Sequence, residues 1–97
     1  MSDPETRVEV NTDEPMRWFV NGRYHREDGP AIEDGNGSKW WYFDGKVHRE
    51  DGPAFEGYDG SKFWCLNGKE VSWQDVFRQA KTQEIQLRIL IAALTTS

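Results

Sequence analysis

Two stretches of this chain carry side chains that could do chemistry: His25-Arg26-Glu27-Asp28 and His48-Arg49-Glu50-Asp51. A histidine beside two carboxylates is a metal-binding or general-base arrangement, since imidazole nitrogen and carboxylate oxygen both ligate divalent cations. The spacing argues against both uses. Neighbouring residues on a strand point to opposite faces, so His and Arg diverge. The Asp-Gly-Pro that follows reads as turn chemistry, with an Asp oxygen capping a nearby backbone N–H. Each histidine is therefore expected between a strand end and a turn, hydrogen-bonded there. Cys65 lies between Trp64 and Leu66, where a buried and inert thiol is the usual outcome. Two histidines that both sit in repeat turns assemble no Ser-His-Asp or Cys-His set. No phosphate loop, dinucleotide fingerprint or paired zinc spacing is present. The chain reads as non-enzymatic, with no catalytic, cofactor-binding or metal-ligating residue assigned and no cofactor expected.

The elements that position these residues recur. Trp18, Trp41 and Trp64 are spaced by 23 residues and again by 23, and Asn21-Gly22, Asp44-Gly45 and Asn67-Gly68 keep that interval. Residues 18–40 and 41–63 are identical at 13 of 23 positions. Self-similarity at a fixed period is the signature of a repeat architecture. A third copy starts at Trp64 and departs from the pattern after Lys69, and Val8 and Val10 hint at a half-copy before the first. Asn-Gly or Asp-Gly between aromatic and β-branched residues is a hairpin signal, because both central positions of a type I′ turn need positive φ. Strands are predicted at 17–20, 40–43 and 63–66, with shorter ones at 23–25, 46–48, 31–33 and 54–56. Pro30 and Pro53 cannot donate to a ladder and should start a strand or lie at an edge. The fold class expected is α+β and mainly β: an antiparallel hairpin meander of about two and a half repeats with a C-terminal helix.

The helical part starts at Ser72, whose spacing to Asp75 resembles a capping box, and Trp73 to Thr82 holds no breaker. A second run, Ile85 to Leu94, either continues the first or restarts at Thr82. Glu84 and Arg88, at i and i+4, mark its wet side. Ile89 to Leu94 is apolar throughout and wants cover on more than one side. Ile89, Leu90, Ile91 and Leu94 are thus candidates for self-association, pairing two copies as a homodimer. The whole is expected to be one domain over 1–97: a flexible start at 1–6, hairpin repeats at 7–71 and a helical segment at 72–95.

Alternation along the strands puts Trp18, Val20, Trp41, Phe43, Trp64 and Leu66 on one face. Arg17, Phe19, Trp40, Tyr42, Phe63 and Cys65 fall on the other. Both faces are largely apolar, whereas a meander wet on one side would be polar there. One face is expected beneath the C-terminal helix. On the other, Phe19, Trp40, Tyr42 and Phe63 are either core or a contact surface. Lys39 and Lys62 flank these aromatics, so a small nucleotide held by stacking and charge is an alternative ligand.

Bulk properties narrow the partners further. A net charge of −5 from 17 acidic and 12 basic residues argues against binding bulk nucleic acid, which needs a clustered basic surface. The single Cys65 excludes an internal disulfide. No run reaches the roughly 18 apolar residues of a membrane span, and the polar start is unlike a secretory signal. A cytoplasmic protein is expected. Mean hydropathy is −0.86, yet the 13 aromatic residues recur at regular spacing rather than scattered.

The string Trp-Tyr-Phe-Asp-Gly-Lys-Val-His-Arg-Glu-Asp-Gly-Pro-Ala-Phe-Glu, residues 41–56, resembles a tandem unit of small tailed-phage, giant-virus and bacterial proteins. Its form is W-x-x-N-G-K-x-H-R-E-D-G-P-A, and the last unit often ends in N-G-K-E-[VL]-S and a short helix, as Asn67 to Phe77 does. The resemblance covers about residues 17–80 and extends distantly to MORN-type hairpin arrays. It implies no enzyme and no cofactor, and it brings no functional residues with it. It suggests a viral protein in the host cytoplasm, binding a host protein as an inhibitor of anti-phage defence. A nucleotide sponge and a structural, self-assembling repeat protein are the alternatives. Residues 83–97 lie outside the pattern.

Overall fold

The hairpin dipeptides set the frame. Asn21, Asp44 and Asn67 have φ of 50°, 52° and 53°, and Gly22, Gly45 and Gly68 follow at 78°, 79° and 81°. Two successive left-handed residues make the type I′ turn, whose twist matches that of the strands it joins. The computed structural model describes residues 7–13 and 15–95, so the flexible start expected at 1–6 lies outside the described residues. The strands are β1 (Val8–Asn11), β2 (Met16–Val20), β3 (Arg23–Tyr24), β4 (Ile32–Glu33), β5 (Lys39–Trp40), β6 (Tyr42–Phe43), β7 (Lys46–Val47), β8 (Phe55–Glu56), β9 (Lys62–Leu66) and β10 (Lys69–Val71). Every pairing among them is antiparallel.

The main sheet runs β1-β2-β4-β5-β8-β9-β10, with β3 beside β2 and with β6 and β7 paired to each other. Backbone bonds tie that last pair in. Arg26 N–H donates to Tyr42 O (3.1 Å), Gly45 N–H to Tyr24 O (2.8 Å), Arg49 N–H to Cys65 O (3.2 Å) and Gly68 N–H to Val47 O (2.9 Å). The meander therefore alternates one long Trp strand with one return strand. Each return strand is interrupted at its middle by Glu-Asp-Gly-Pro (27–30 and 50–53), opposite a Trp. Trp18 N–H bonds Ala31 O beyond the interruption, and Trp18 O accepts from His25 N–H before it; Trp41, Ala54 and His48 repeat this. Pro30 and Pro53 sit where no ladder donor is required.

Consecutive hairpins are coupled through the histidines. His25 Nδ1 accepts the Asp44 N–H at 2.8 Å, and His48 Nδ1 accepts the Asn67 N–H at 2.9 Å. Each imidazole thus serves the next repeat's turn rather than its own. No histidine precedes the first turn, and β1 takes over: Asn21 N–H donates to Arg7 O, and Arg7 N–H to Asn21 Oδ1, both at 2.8 Å. β1 is not a displaced repeat strand. It pairs Val8 with Val20 and Val10 with Trp18, two residues out of step with the corresponding pairing of β4 and β5. Full-length pairing lets it cover both halves of β2 and the turn.

Two helices follow. α1 (Trp73–Gln79) has the expected capping box, Ser72 Oγ accepting Asp75 N–H while the Asp75 carboxylate accepts Ser72 N–H. Ala80 is extended, and α2 (Gln83–Leu94) restarts with Thr82 Oγ1 accepting Ile85 N–H. The expectation that a helix covers one whole sheet face does not hold. The helices pack mainly against the last repeat, where Trp64, Val76 and Ile89 form a buried cluster flanked by Leu66 and Val71, and they touch the second repeat only at its motif, Gln79 Nε2 donating to Glu50 O and Arg88 approaching Asp51. The physical reason is local: after Val71 the chain has no return strand, so the helices fill the space the next repeat would take.

Removing His48 by His48→Ala leaves the Asn67 N–H without its acceptor. Chemical denaturation is expected to report a loss of about 0.5–1.5 kcal/mol, above that of the exposed Lys46→Ala. The Asp75 carboxyl is held below its ordinary range by the Ser72 backbone N–H first and the Ser72 hydroxyl second. A lowered folded-state value means a contribution present above the unfolded carboxyl's range and lost as pH falls through the folded one. Helical ellipticity followed on acidification below about pH 4 should show this component in the native chain and not in Asp75→Asn.

Candidate functional site

The repeated His-Arg-Glu-Asp-Gly-Pro-Ala stretch, the place where chemistry was conceivable, is built around its arginine. The guanidinium carbon of Arg26 lies 4.0 Å from the ring centroid of Trp18, and that of Arg49 lies 3.9 Å from Trp41. Arg49 Nε donates to Asp51 Oδ1 (2.8 Å), and one terminal nitrogen donates to Pro53 O (3.1 Å) and Glu56 Oε2 (2.9 Å). Arg26 makes the same three bonds to Asp28 (3.0 Å), Pro30 O (3.1 Å) and Glu33 (3.4 Å). A planar donor fork stacked on a ring is the geometry arginine offers and lysine does not. Both side chains are about one-fifth exposed. The Asp of each motif thus holds its arginine, where an Asp oxygen on a backbone N–H was expected.

The glycine of the motif follows from that packing. A Cβ on Gly52 would stand 2.7 Å from Arg49 Cζ, and one on Gly29 would stand 3.0 Å from Arg26 Cζ. His48 Nε2 lies 3.0 Å from Glu50 Oε2. With Nδ1 accepting, Nε2 carries the proton and the imidazole is committed on both sides. His25 Nε2 is 3.9 Å from Glu27. Among the described residues no three His, Cys, Asp or Glu side chains are placed to hold a metal ion.

The candidate contact residues separate by face. Register brings Ile32, Trp40, Phe55 and Phe63 into one cross-strand row. Trp40 and Phe55 rings are 4.3 Å apart, and Phe55 and Phe63 are 5.6 Å apart. Phe19, Tyr24 and Tyr42 form a second row, at 4.9 and 5.1 Å. Both rows lie on the sheet face opposite Trp18, Trp41 and Trp64, and the helices do not reach them. Phe63 is 47% exposed and the other three candidates are half-buried. Burial, then the neighbouring Tyr24, pushes the Tyr42 hydroxyl up. Burial, then Glu70, does the same for the Cys65 thiol, which disfavours its nucleophilic form.

Lys39 and Lys62 do not join this surface. Lys39 stands across from Glu33 and Glu56, and Lys62 across from Glu56. These carboxylates are the ones that hold Arg26 and Arg49, so both lysines face the Trp side. One-residue alternation separates them from Trp40 and Phe63. The stacking platform and its flanking charges, which a bound nucleotide would need together, are on opposite faces.

On α2 the self-association candidates divide as well. Ile89 is fully buried against Trp64, so it is core and cannot join a second copy. Leu90 is half-buried. Ile91 and Leu94 are 54% and 82% exposed, and Leu87, which the reading of an all-round apolar run passed over, is 58% exposed. Leu87, Ile91 and Leu94 fall at i, i+4 and i+7, a single stripe. No helix among the described residues is long and apolar enough to cross a membrane.

Arg49→Lys keeps the charge but gives up the fork and the stack. A loss of about 1–3 kcal/mol is expected, read as a lower urea midpoint. Gly52→Ala should also destabilise, and by more than Gly29→Ala, because the guanidinium it displaces is the more closely held. Equal midpoints for both alanine variants and the native chain would show that this packing is unimportant.

Compared with protein-family models, with curated proteins and with solved structures, the chain finds no match in any of the three.

Proposed function

We propose that this chain is a non-enzymatic protein-binding module whose contact surface is the aromatic face opposite the Trp row. One observation carries the reading. The two full repeats are identical where side chains hold the frame: Trp18/Trp41, His25/His48, Arg26/Arg49, Gly29/Gly52, Glu33/Glu56 and Lys39/Lys62. On the opposite face every corresponding position differs: Phe19/Tyr42, Tyr24/Val47, Ile32/Phe55 and Trp40/Phe63. That face keeps apolar bulk and changes shape from copy to copy. A surface required only to fill a core would repeat with the frame. Aromatic residues, Tyr and Trp among them, are enriched at protein interfaces.

The resemblance of residues 17–80 to repeats of phage proteins supports a host protein as the partner and inhibition of a host system as the role. A second reading, self-association through α2, is favoured by the exposed stripe of Leu87, Ile91 and Leu94.

Phe63→Asp and Trp40→Ala are the informative substitutions. Both are expected to keep the native circular dichroism and to weaken capture of a single dominant host protein from bacterial lysate by tenfold or more, about 1.4 kcal/mol. Leu87→Asp should leave that capture unchanged. Unfolding of Trp40→Ala, or full capture by Phe63→Asp, removes the aromatic face from consideration. Light scattering addresses the second reading: native mass at twice 11.3 kDa, halved by Leu87→Asp.

A further inference from the structure

Each repeat holds a slot on the Trp side of the sheet, and the three copies are in different states. In the first, Trp18, Val20, His25, Arg26, Glu27 and Asp28, closed at one end by Val8, line a cavity of about 510 Å³. In the second, Trp41, Phe43, His48, Arg49, Glu50 and Asp51 take the same six positions 23 residues on, joined by residues 26–30 of the first motif, around about 720 Å³. In the third, the counterparts Trp64, Leu66 and Val71 are covered by the chain's own helices through Val76 and Ile89. The second slot is partly entered by α2. Ile85 and Arg88 line it, and Arg88 approaches Asp51 at 3.7 Å.

We infer that the slot of the first repeat, open among the described residues, is a docking site for an amphipathic helix of a partner protein. That helix carries an aliphatic residue and, three positions on, an arginine. The occupant's chemistry is read from the occupant of the neighbouring copy. Ile85 and Arg88 are one turn apart on one helix face, and Asp28 in the first slot corresponds to the Asp51 that Arg88 approaches. Among the described residues Asp28 bonds only its own Arg26, and it is 84% exposed; Glu27 beside it is 77% exposed. Both stand ready for an incoming cation, on a chain whose net charge is −5. Opposite charges at an interface rim set orientation and encounter rate.

A second observation sets the first slot apart. Trp18 Nε1 is the one buried side-chain polar atom without a hydrogen-bond partner among the described residues. A native interior rarely leaves such a donor unpaired. This site lies on the opposite side of the sheet from the aromatic rows, and it does not depend on them.

The probe is a synthetic helix of residues 82–95 of this chain. Leu87→Lys and Ile91→Asp are joined in it as a lactam bridge, and Leu94→Gln completes removal of the exposed stripe, so that the face bearing Ile85, Arg88 and Ile89 is left for recognition. Titrated into the ¹⁵N-labelled full chain, it should shift the Trp18 indole N–H signal saturably. Asp28→Lys in the chain should weaken that binding by about tenfold. Arg88→Glu in the peptide should restore it against the Asp28→Lys chain, a charge exchange that a merely misfolded slot could not reproduce. A Trp18 signal that does not move overturns the assignment. So do shifts confined to Trp64, which would report displacement of the native α2, and so does indifference to Asp28→Lys.

Discussion

A guanidinium laid flat on an indole, with its donors tied to a carboxylate, a carbonyl and a second carboxylate, is the contact on which each repeat depends. It answers a problem set by chain length. A chain of 97 residues built on one meander has too few apolar side chains to bury both sheet faces beneath a second layer. Arginine supplies the missing layer from within the return strand. Its aliphatic stem and planar head cover the Trp ring, while its charge is neutralised by neighbours of fixed position. The interruption of the return strand at Glu-Asp-Gly-Pro is what frees the residues that hold it. Asp takes Nε, the carbonyl of Pro takes a terminal nitrogen, and Gly leaves room for the head. Lys39 and Lys62 stand across the strands from the glutamates that hold the arginines, where opposite charges are favourable.

The ends of the array show how far the unit can be altered before something must replace it. At the start there is no preceding histidine, and β1 satisfies the Asn21 turn with its own backbone. At the finish, Val71 and Ser72 stand where His and Arg would be. With no guanidinium to cover Trp64, the chain turns into α1 and α2 and covers it with Val76 and Ile89. Repeat arrays require terminal units that close the core with a different surface. Here the closure is built at the exact positions where the motif is missing.

Most of the frame could be read from spacing alone, because turn chemistry is local. Three Asn-Gly or Asp-Gly pairs specify three hairpins, and Ser72 with Asp75 specifies a cap. What spacing could not show was the third dimension of the motif. Arg26 and Trp18 lie on either side of the predicted Asn21-Gly22 hairpin, yet nothing in a strand pattern says that the guanidinium turns onto the indole. The glycine at 29 and 52 held the signal, since a turn of this kind tolerates other residues unless something packs against it. The placement of Lys39 and Lys62 was recoverable from alternation, yet proximity in sequence to Trp40 and Phe63 suggested a shared surface. The apolar run at 89–94 likewise hid its division, for a helix turns Ile89 inward and Ile91 outward by simple geometry. The helix break at Ala80 carries no Gly or Pro and was visible only as Thr82, one of two openings for the second run.

The internal duplication separates what the fold needs from what it leaves free. Two copies in one chain share one solvent, one temperature and one history of folding, so identity between them marks positions that the unit itself constrains. Those positions are of two kinds: the Arg–Trp contact with its partners, and turn residues such as Gly22/Gly45 and Gly37/Gly60, whose φ is positive. The four differing pairs on the opposite face satisfy a weaker requirement, that the sheet carry apolar side chains broad enough to touch across strands. Within the slots the same division recurs on a smaller scale: of the six lining positions that the two copies share, only Val20 and Phe43 differ. A sheet stiffened on one side by its own charged clamps can therefore present a varied surface on the other without loss of register. Stability and the variation of the surface are carried by different residues of the same strand.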